Sequence, residues 1–456
     1  MPILPIDTGR YGTLEMKRIF EEENRLQKML DVEAALAWAH AEVGNIPRKG
    51  AEKIMEMASA KYVKLARVAA IEKEIKHDVA ALVRALAEVC GSSGAYVHLG
   101  ATSSDILDTA TALQLKEAVA VIEQRLDNFE KILLEKAEKY KRAIMMGRTH
   151  GQHALPTTLG FKFSVWMREN ARHIQRLREC NTRLLVGKMS GAVGTQAGLG
   201  PNAMKIQELA IQRLGIKPAD ISTQIIQRDR YAEFVALLAL IASSLENFAT
   251  EIRELQRPEI GELFEPFEKA KQVGSSTMPH KRNPITCEKV CGLAKIMRSL
   301  VVPALENVQT WHERDLTQSS AERFILPEAC VLTDYMLVLM ADIVSGLVVD
   351  EDRMKRNIGL TQGRCMSEAV MMALAEKGMS RQEAHEHLRV LAIKSETENR
   401  LFKTVLLEDT KMRKLLDEKE VNRALNPRNY LGTAVQQVER MVKKTRKERK
   451  TRGLHA

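Results

Sequence analysis

The stretch that decides the fold is residues 229–256, DRYAEFVALLALIASSLENFATEIRELQ, a run without proline or glycine. Its apolar residues recur at three- and four-residue intervals, which is the spacing of one face of an α-helix. Its alanines, leucines and glutamates are strong helix formers. A helix of this length cannot hide an apolar face inside a small domain, so we expect it to pack in a bundle.

Other parts of the chain repeat this pattern. The further long periodic segments lie at about 104–140, 157–187, 284–311 and 321–348. Helices of this kind are expected to bundle with one another and with copies from other chains. The predicted fold class is therefore all-α, built on a central bundle of long helices.

Shorter helices are predicted on both sides of the bundle. Residues 14–43 carry a helical apolar stripe, and more helix follows through about 51–89. The candidate extended pieces are 96–100 (YVHLG) and 183–194, and neither predicts a hairpin. The predicted domains are an N-terminal helical domain at 1–102, the central bundle with a loop at 274–284 within 103–356, and a C-terminal helical domain with a basic tail at 357–456.

Composition excludes several classes of protein. Six cysteines in 456 residues do not make a disulfide framework, and Cys287 and Cys291 lack a second pair that could complete a zinc site. No segment has metal-ligand spacing or a glycine-rich dinucleotide loop, so neither a metal nor a cofactor is expected. The apolar stretches 234–245 and 335–341 are too short to span a bilayer, and no signal peptide is evident. We therefore expect a cytoplasmic protein without a membrane partner.

The positive charge is concentrated at the C-terminus. The chain carries a formal net charge of +10, and residues 440–456 contain eight Lys or Arg and one Glu. Such a tail is compatible with nucleic-acid binding, but no aromatic side chains interleave with the cations as stacking platforms. We therefore expect a solvated, fraying helix end and no nucleic-acid partner.

Residues 274–284, GSSTMPHKRNP, have the composition of a loop between helices. Asn283 is a favoured N-cap residue and Pro284 suits the first position of a helix, so the loop is predicted to lead into a helix N-terminus. That end of a helix attracts anions such as a substrate carboxylate, and Lys281 and Arg282 add positive charge. Composition alone does not distinguish this loop from an ordinary polar loop.

Four segments together resemble the fumarase/aspartase superfamily. GSSTMPHKRNP is similar to its signature loop, and RYG (10–12), HLGATSSD (98–105) and GRTHGQHALPTT (147–158) match it in the expected order. The resemblance extends from Arg10 to about residue 430. It implies a three-domain helical fold and a homotetramer with a multi-helix core, whose active sites combine residues of three chains.

Within the superfamily, the chain resembles the adenylosuccinate lyase family. The features that carry this resemblance are HKRNP in the loop, Arg10-Tyr11, EIKHDV (74–79), STQIIQRDRYAEF (222–234) and WHERDLTQSSAERFILPE (311–328). One departure is Gly12, where serine is usual, which is expected to alter local phosphate contacts but not the chemistry. The resemblance implies β-elimination of fumarate from adenylosuccinate and from the succinyl-carboxamide ribotide SAICAR.

The same resemblance assigns the reactive groups. Ser275 is the expected base, and it must act as an alkoxide or near-alkoxide in a positive field from Lys281 and the loop amides. Gly274 is expected to act as the hinge of a closing loop. His150 is the expected acid that protonates the departing nitrogen, because imidazole exchanges protons near neutral pH. Glu288 is expected to orient and charge His150.

The resemblance also assigns residues that bind the substrate. Arg side chains suit a phosphate because their planar donors match its oxygens, and hydroxyl groups donate to carboxylates. The expected binding residues are Arg10, Tyr11, His77, Asp78, His98, Thr102, Ser103, Thr149, Gln224, Asn283, Arg314, Ser319 and Arg323. The remaining weaker candidates, expected to be structural, are His153, His173, His280 and His312. His385 and His387 face apart on a predicted helix, which argues against a shared metal.

Three alternatives remain open from the sequence. One is another enzyme of the superfamily, such as carboxymuconate cycloisomerase or argininosuccinate lyase, although a substrate without phosphate would not need the arginines at 10, 314 and 323. Another is a catalytically silent structural homologue, against which the presence of Ser275 and His150 weighs. The last is a nucleic-acid-binding protein, for which binding would depend steeply on salt and be lost on deletion of 440–456.

Overall fold

The computed structural model describes residues 3–268 and 272–454 and consists mainly of α-helices, as predicted. The chain divides into two units by its contacts. Unit 1 comprises Met1–Asp127, Arg172–Glu246 and Val290–Leu339, and unit 2 comprises Asn128–Ala171, Asn247–Lys289 and Met340–Ala456. The predicted domain boundaries at 102 and 356 stay a prediction.

The N-terminal region contains more helices than predicted. They are α1 (Leu14–Phe20), α2 (Glu22–Glu42), α3 (Arg48–Met57), α4 (Leu65–Ile75) and α5 (Asp78–Cys90). The single helix predicted over 14–43 is wrong, because Glu21 adopts an extended conformation (φ −60°, ψ 145°). Asn24 Nδ2 and Gln114 Nε2 then each donate to the carbonyl of Ile19, both at 2.8 Å. The break therefore has its own polar cap.

The long helices are largely as predicted. They are α6 (Ser103–Lys139), α7 (Leu159–Leu184), α9 (Asp229–Gln256) and α12 (Thr317–Ser345), with the shorter α8 (Ala203–Arg213) between α7 and α9. The helix predicted over 284–311 is wrong, because it splits into α10 (Ile285–Ser299) and α11 (Val301–Glu306). The cause is Pro303, whose ring would clash with the Ser299 carbonyl in a continuous helix.

A β-hairpin that the sequence did not predict lies between α6 and α7. Strands β1 (Ile144–Thr149) and β2 (Gln152–Thr158) pair antiparallel. Two-residue pairs form between β3 (Val186–Gly187) and β4 (Lys217–Pro218), and between β5 (Leu263–Phe264) and β6 (Val348–Val349). The candidate stretch 183–194 thus supplies only β3, and 96–100 is not a strand.

The helices after Asp350 are shorter, as predicted. They are α13 (Glu351–Gly359), α14 (Ser367–Glu376), α15 (Arg381–Thr397), α16 (Phe402–Glu408), α17 (Thr410–Leu415), α18 (Glu418–Ala424) and α19 (Ala434–Thr451).

The expected fraying tail is wrong for the part of it that the structure describes. Val442, Thr445 and Arg449 of α19 are buried, and Arg449 and Arg452 both pair with the buried carboxylate of Glu130 in the same unit. Most of the tail is therefore a docked helix. Residues 455–456 of the tail lie outside the described residues.

Two of the long helices are unusually apolar. By length and composition α9 and α12 could each cross a membrane, so the apolar content reaches beyond the short stretches seen in the sequence. In each helix 67% of the apolar window is buried inside the protein. In α9 the buried residues include Phe234, Leu238 and Phe248. This burial is that of core helices, which explains the composition without a membrane.

Candidate functional site

Seven of the predicted binding residues line one cleft of about 740 Å³ in unit 1. They are His77, Asp78, Ser103, Gln224, Arg314, Ser319 and Arg323. Arg314 Nη1 donates to Gln224 Oε1 at 3.0 Å, and Arg323 Nη2 pairs with Asp78 Oδ2 at 3.1 Å. Residues far apart in the sequence thus form one surface with donors suited to an anionic, hydrogen-bonding ligand.

A tight turn between α4 and α5 places His77 at the cleft. Lys76 adopts the left-handed conformation (φ 58°), which ends α4, and His77 is the N-cap of α5. His77 Nδ1 accepts from the Ala80 amide at 3.3 Å. An accepting Nδ1 carries no proton, so the neutral ring keeps its proton on Nε2. The cap therefore leaves a donor on the other side of the ring.

A buried ion network supports the arginine side of the cleft. The Arg228 guanidinium bonds both oxygens of Asp108, at 3.0 and 2.9 Å, and both oxygens of Glu322, at 2.6 and 3.2 Å. Burial raises the pKa of Glu322, an effect that Arg228 only partly offsets. Burial lowers the pKa of Arg228, but Asp108 and Glu322 raise it well above the usual value. Glu322 precedes Arg323 in α12, so the network fixes the helix that carries the arginine.

A second buried network fixes the HLGATSSD segment. Asp105 accepts from the Thr102 amide at 2.9 Å and from the Ser190 amide at 2.8 Å. It also pairs with Lys188 Nζ at 2.5 Å, with both side chains fully buried. Such a pair is tolerated in the interior because each charge is matched and hydrogen-bonded. It positions Thr102, and His98 in the same segment is bonded by Glu33.

Arg10 and Tyr11 are not among the residues that line this cleft. Arg10 is exposed, and the Tyr11 ring lies 6.0 Å from that of Tyr335. Gly12, where the sequence predicts a departure from the family pattern, has a φ of +91°, and a Cβ there would lie 2.6 Å from Val331 Cγ1. The backbone here therefore requires glycine.

In unit 2 the β1–β2 turn presents His150. Thr149 pairs with Gln152, so His150 and Gly151 form a two-residue loop, with φ of 53° and 72°. Positive φ at both positions is typical of a type I′ turn, whose twist matches the strands. Thr149 and His150 are exposed at the tip. A histidine followed by glycine between two short runs was the signal in the sequence that could have found this hairpin.

Strand β1 is anchored close to the turn by a buried carboxylate. The Arg148 guanidinium bonds both oxygens of Glu262, at 3.0 and 2.8 Å. Glu262 is fully buried and also accepts from Asn357 Nδ2 at 2.7 Å. A paired arginine and carboxylate fix both distance and orientation. The turn that carries His150 therefore follows directly from a fixed part of β1.

The two ends of the loop at 274–284 lie close together. A Cβ on Gly274 would lie 2.0 Å from the Lys281 carbonyl oxygen, and Asn283 Nδ2 donates to the Gly274 carbonyl at 3.1 Å. This close approach requires the glycine, and a hinge role stays a prediction. Ser275 Oγ accepts from the Met278 amide at 3.1 Å. Lys281 is exposed.

The N-terminus of α10 differs from the prediction. Asn283 does not cap it, and the helix begins at Ile285. The buried Glu265 carboxylate instead accepts from the Thr286 amide at 3.2 Å and the Cys287 amide at 3.0 Å. The prediction that these amides attract a substrate carboxylate is wrong, because a carboxylate of the protein occupies them.

Glu288 and His150 are both exposed, and no hydrogen bond or ion pair among the described residues joins them. Two of the other histidines, His173 and His387, fit structural roles. His173 is bonded to Ser244 at 2.8 Å, and its burial lowers its pKa to about 4. His387 pairs with Asp409 at 2.9 Å. In residues 3–268 and 272–454 there is no group of three or more His, Cys, Asp or Glu that could hold a metal.

Known proteins are similar to this one in both fold and sequence. One similar solved structure is that of a fumarate lyase from Mesorhizobium sp. BNC1, with a TM-score of 0.89, 32% sequence identity and coverage of 97% of this chain and 100% of that chain. The 3-carboxy-cis,cis-muconate lactonizing enzyme from Pseudomonas putida follows with TM-score 0.88, 35% identity and coverage of 97% and 99%. The long-helix fold with this cleft and loop thus defines a lyase of the fumarase/aspartase superfamily.

Sequence similarity identifies the family within this superfamily. Residues 9–297 match the family described as lyase, and residues 363–441 match the adenylosuccinate lyase C-terminus. Adenylosuccinate lyase of Pyrococcus abyssi is 54% identical over 100% of both chains, and that of Methanocaldococcus jannaschii is 51% identical over 97% of this chain and 96% of its own. The chain belongs to the adenylosuccinate lyase family and is a carbon–nitrogen lyase.

Proposed function

We propose that the chain removes fumarate from adenylosuccinate, leaving AMP, and from SAICAR, leaving the carboxamide ribotide AICAR. The observation that carries the proposal is the cleft of unit 1, where Arg314, Ser319 and Arg323 lie with Gln224 and His77. Both substrates present a phosphate and a succinyl-amine, and guanidinium and hydroxyl groups suit those oxygens. The relatives named above carry the same activity in their names.

The reaction needs a base, a stabilised intermediate and an acid. Ser275 takes the proton from the carbon next to a succinyl carboxylate, while Lys281 and Asn283 hold that carboxylate. The electron pair left on carbon forms the new double bond as the C–N bond breaks. His150 gives its proton to the departing nitrogen, so the products are fumarate and the neutral amine.

The geometry of the loop supports Ser275 as the base. A serine hydroxyl is a weak base, and hydrogen bonds to its charged form make the alkoxide less costly. The amides of Met278 and Thr277 point at Ser275 Oγ, at 3.1 and 3.4 Å. These donors and Lys281 would together stabilise negative charge on the oxygen.

We further propose that the active site is shared in a homotetramer, with residues from three chains. The support is that His150 and Glu288 have no described bond to each other within one chain, although their family roles require contact. Thr149 would reach a carboxylate with His150. Arg10 and Tyr11 are exposed or half-buried outside the cleft, and would contact the phosphate in the assembly. The proposed location is the cytoplasm, and the proposed domains are 1–102, 103–356 and 357–456.

The test is direct. Purified tetramer is incubated with adenylosuccinate, with SAICAR and with 3-carboxymuconate, and the products are separated by chromatography. The proposal expects fumarate from the first two and no lactone from the third. Absence of fumarate from both succinyl substrates, with folded protein, would show that the proposal is wrong. Formation of a lactone without release of fumarate would favour the cycloisomerase alternative. This alternative is included because the chain is similar to the Pseudomonas putida enzyme.

A further inference from the structure

Glu33 is a carboxylate in the middle of α2 with no exposure to solvent. Burying a carboxylate is costly unless its oxygens are bonded. Both oxygens go to one residue: Oε2 accepts from the His98 amide at 3.1 Å, and Oε1 bonds His98 Nδ1 at 2.6 Å. A single amide bond would suffice to hold the backbone. The second bond acts on the imidazole ring.

The backbone around His98 is also fixed without that second bond. His98 has a φ of +61°, and the next carbonyl, that of Leu99, is bonded by His40 Nε2 at 2.9 Å. Glu33 and His40 lie seven residues apart and hence on the same face of α2. Gly100 packs so closely that a Cβ would lie 2.4 Å from the Gly198 carbonyl oxygen. The segment is therefore held on three sides.

The bond to Nδ1 determines what the other nitrogen of the ring can do. A carboxylate only accepts, so His98 Nδ1 carries a proton. No described residue bonds Nε2, and 19% of the side chain is exposed. We propose that Glu33 is a positioning residue that holds His98 as an imidazolium, whose Nε2–H binds an anionic oxygen of the substrate. This inference rests on the proposed function and deepens it.

The charges around the ring support the cationic form. Burial lowers the pKa of His98, but the hydrogen bond and charge of Glu33 and the charge of Asp105 raise it above the usual value. Asp105 is itself paired with Lys188, so Glu33 is the nearer source of negative charge. His40 differs: burial lowers its pKa, and it meets a carbonyl and Asn45 in place of a carboxylate. Two residues on one face of α2, Glu33 and His40, thus contact the same segment, and the pKa shifts of His98 and His40 have opposite directions.

The experiment compares Glu33→Gln with His40→Gln. Glutamine at 33 keeps an acceptor for the His98 amide but turns a donor toward Nδ1, so the imidazolium is no longer favoured. His40→Gln disturbs the same segment without changing its charge. Binding of AMP and of fumarate to the intact protein is measured by calorimetry across pH, since one ligand has the phosphate and the other the carboxylates.

We expect Glu33→Gln to weaken one of the two ligands about tenfold near neutral pH, because a charge-assisted bond is lost. Affinity that depends on a cationic His98 is lost as pH rises through its pKa, so that loss should move to lower pH in the variant. The ligand affected identifies the anionic group. His40→Gln should leave the pH dependence unchanged, and His98→Gln should abolish the effect of Glu33→Gln.

The outcomes separate this inference from the function. Unchanged pH dependence in Glu33→Gln, or the same change in His40→Gln, overturns the role of Glu33. Absence of fumarate release by the unaltered protein overturns the function and leaves the binding comparison valid. If Glu33→Gln does not fold, Glu33→Asp replaces it: the charge remains, so the pH dependence should persist at reduced affinity, and its loss would also overturn the proposal.

Discussion

The residues assigned to binding and the residues assigned to chemistry are held in different ways. In unit 1, Gln224, Arg323 and His98 each bond another side chain of the same chain. In unit 2, His150 is at the exposed tip of a hairpin, and among the residues that the structure describes Ser275 Oγ bonds only the backbone amides of Thr277 and Met278. Among the described residues, one chain thus organises its own binding surface, while the side chains of His150 and Ser275 bond no other side chain.

The buried charges of unit 2 show the same contrast within one element. Arg148 and Glu262 fix β1 two residues before His150, yet in the part of the chain that the structure describes no hydrogen bond or ion pair holds the His150 side chain. Glu265 likewise fixes the start of α10 without touching the reactive part of the loop. A fixed strand that leads into an exposed turn places a reactive group accurately and leaves it free to meet a ligand.

The largest effect on activity is expected from Ser275→Ala, which tests whether chemistry and binding are separate in the two sets of residues. Removal of a general base is expected to lower kcat by about 10²–10⁴-fold or more, with substrate still bound, because the binding surface is organised elsewhere. Steady-state kinetics and calorimetry give kcat and affinity separately. The matched control is Ser276→Ala. The hydroxyl of Ser276 is next to Ser275 in the sequence, is exposed, and lies 3.5 Å from Thr277 Oγ1. A Ser275→Ala enzyme that keeps more than a tenth of wild-type kcat would refute Ser275 as the base.

The next test asks whether the reactive groups come from different chains. His150→Gln and Ser275→Ala tetramers are each expected to be inactive. After joint dissociation, equal mixing and reassembly, a site works only if its His150 comes from a Ser275→Ala chain and its Ser275 comes from a His150→Gln chain. Each choice has an even chance, so about a quarter of wild-type activity should return. Activity that stays absent in a mixture shown to contain hybrid tetramers would place both residues on one chain.

Sequence patterns predicted the parts of this molecule whose causes are local. The helix over 229–256 was predicted to its ends because nothing in it interrupts the helical period, and the loop at 274–284 was recognised from its own residues. Pro303 and the His150-Gly151 turn were also local signals, and they were missed. Most of the predicted cleft residues do lie together, but their roles stay predictions.

The supporting residues could not be predicted, because their role depends on partners distant in the chain. Glu33, Arg228 and Glu265 are charged residues in or near helices, and such residues are mostly exposed. Each is buried against a partner that folding brings from elsewhere, as Glu33 meets a residue 65 positions away. A sequence pattern shows the charge but not the partner that makes its burial possible.

A smaller test probes the binding surface itself. Arg323→Gln removes a cation from the cleft, and the expected effect is a KM for adenylosuccinate raised about tenfold with kcat little changed, because a charge-assisted hydrogen bond is lost. Asp78→Asn is the comparison, since it removes the partner of Arg323 and keeps the guanidinium. We expect a smaller rise in KM for that variant. Equal effects would mean that the ion pair, and not contact with the phosphate, explains the loss.

The smallest expected effect concerns Gly12, where the sequence predicts a departure from the family pattern. Gly12→Ser should lower the free energy of unfolding by about 1–3 kcal/mol, because a side chain is strained at positive φ and its Cβ would meet Val331. Gly9→Ser is the matched control: its φ is +79°, but no atom lies within 4 Å of the added Cβ. The difference between the two variants in the free energy of unfolding, measured with denaturant, separates the effect of the contact from that of the backbone strain.

If Gly12→Ser is no less stable than Gly9→Ser, the side chains of Val331 and Lys17 move aside without loss of stability, and packing does not explain the glycine at position 12. If Gly12→Ser is less stable than Gly9→Ser while its kcat and KM are unchanged, the glycine at position 12 serves the packing of unit 1 and not the reaction.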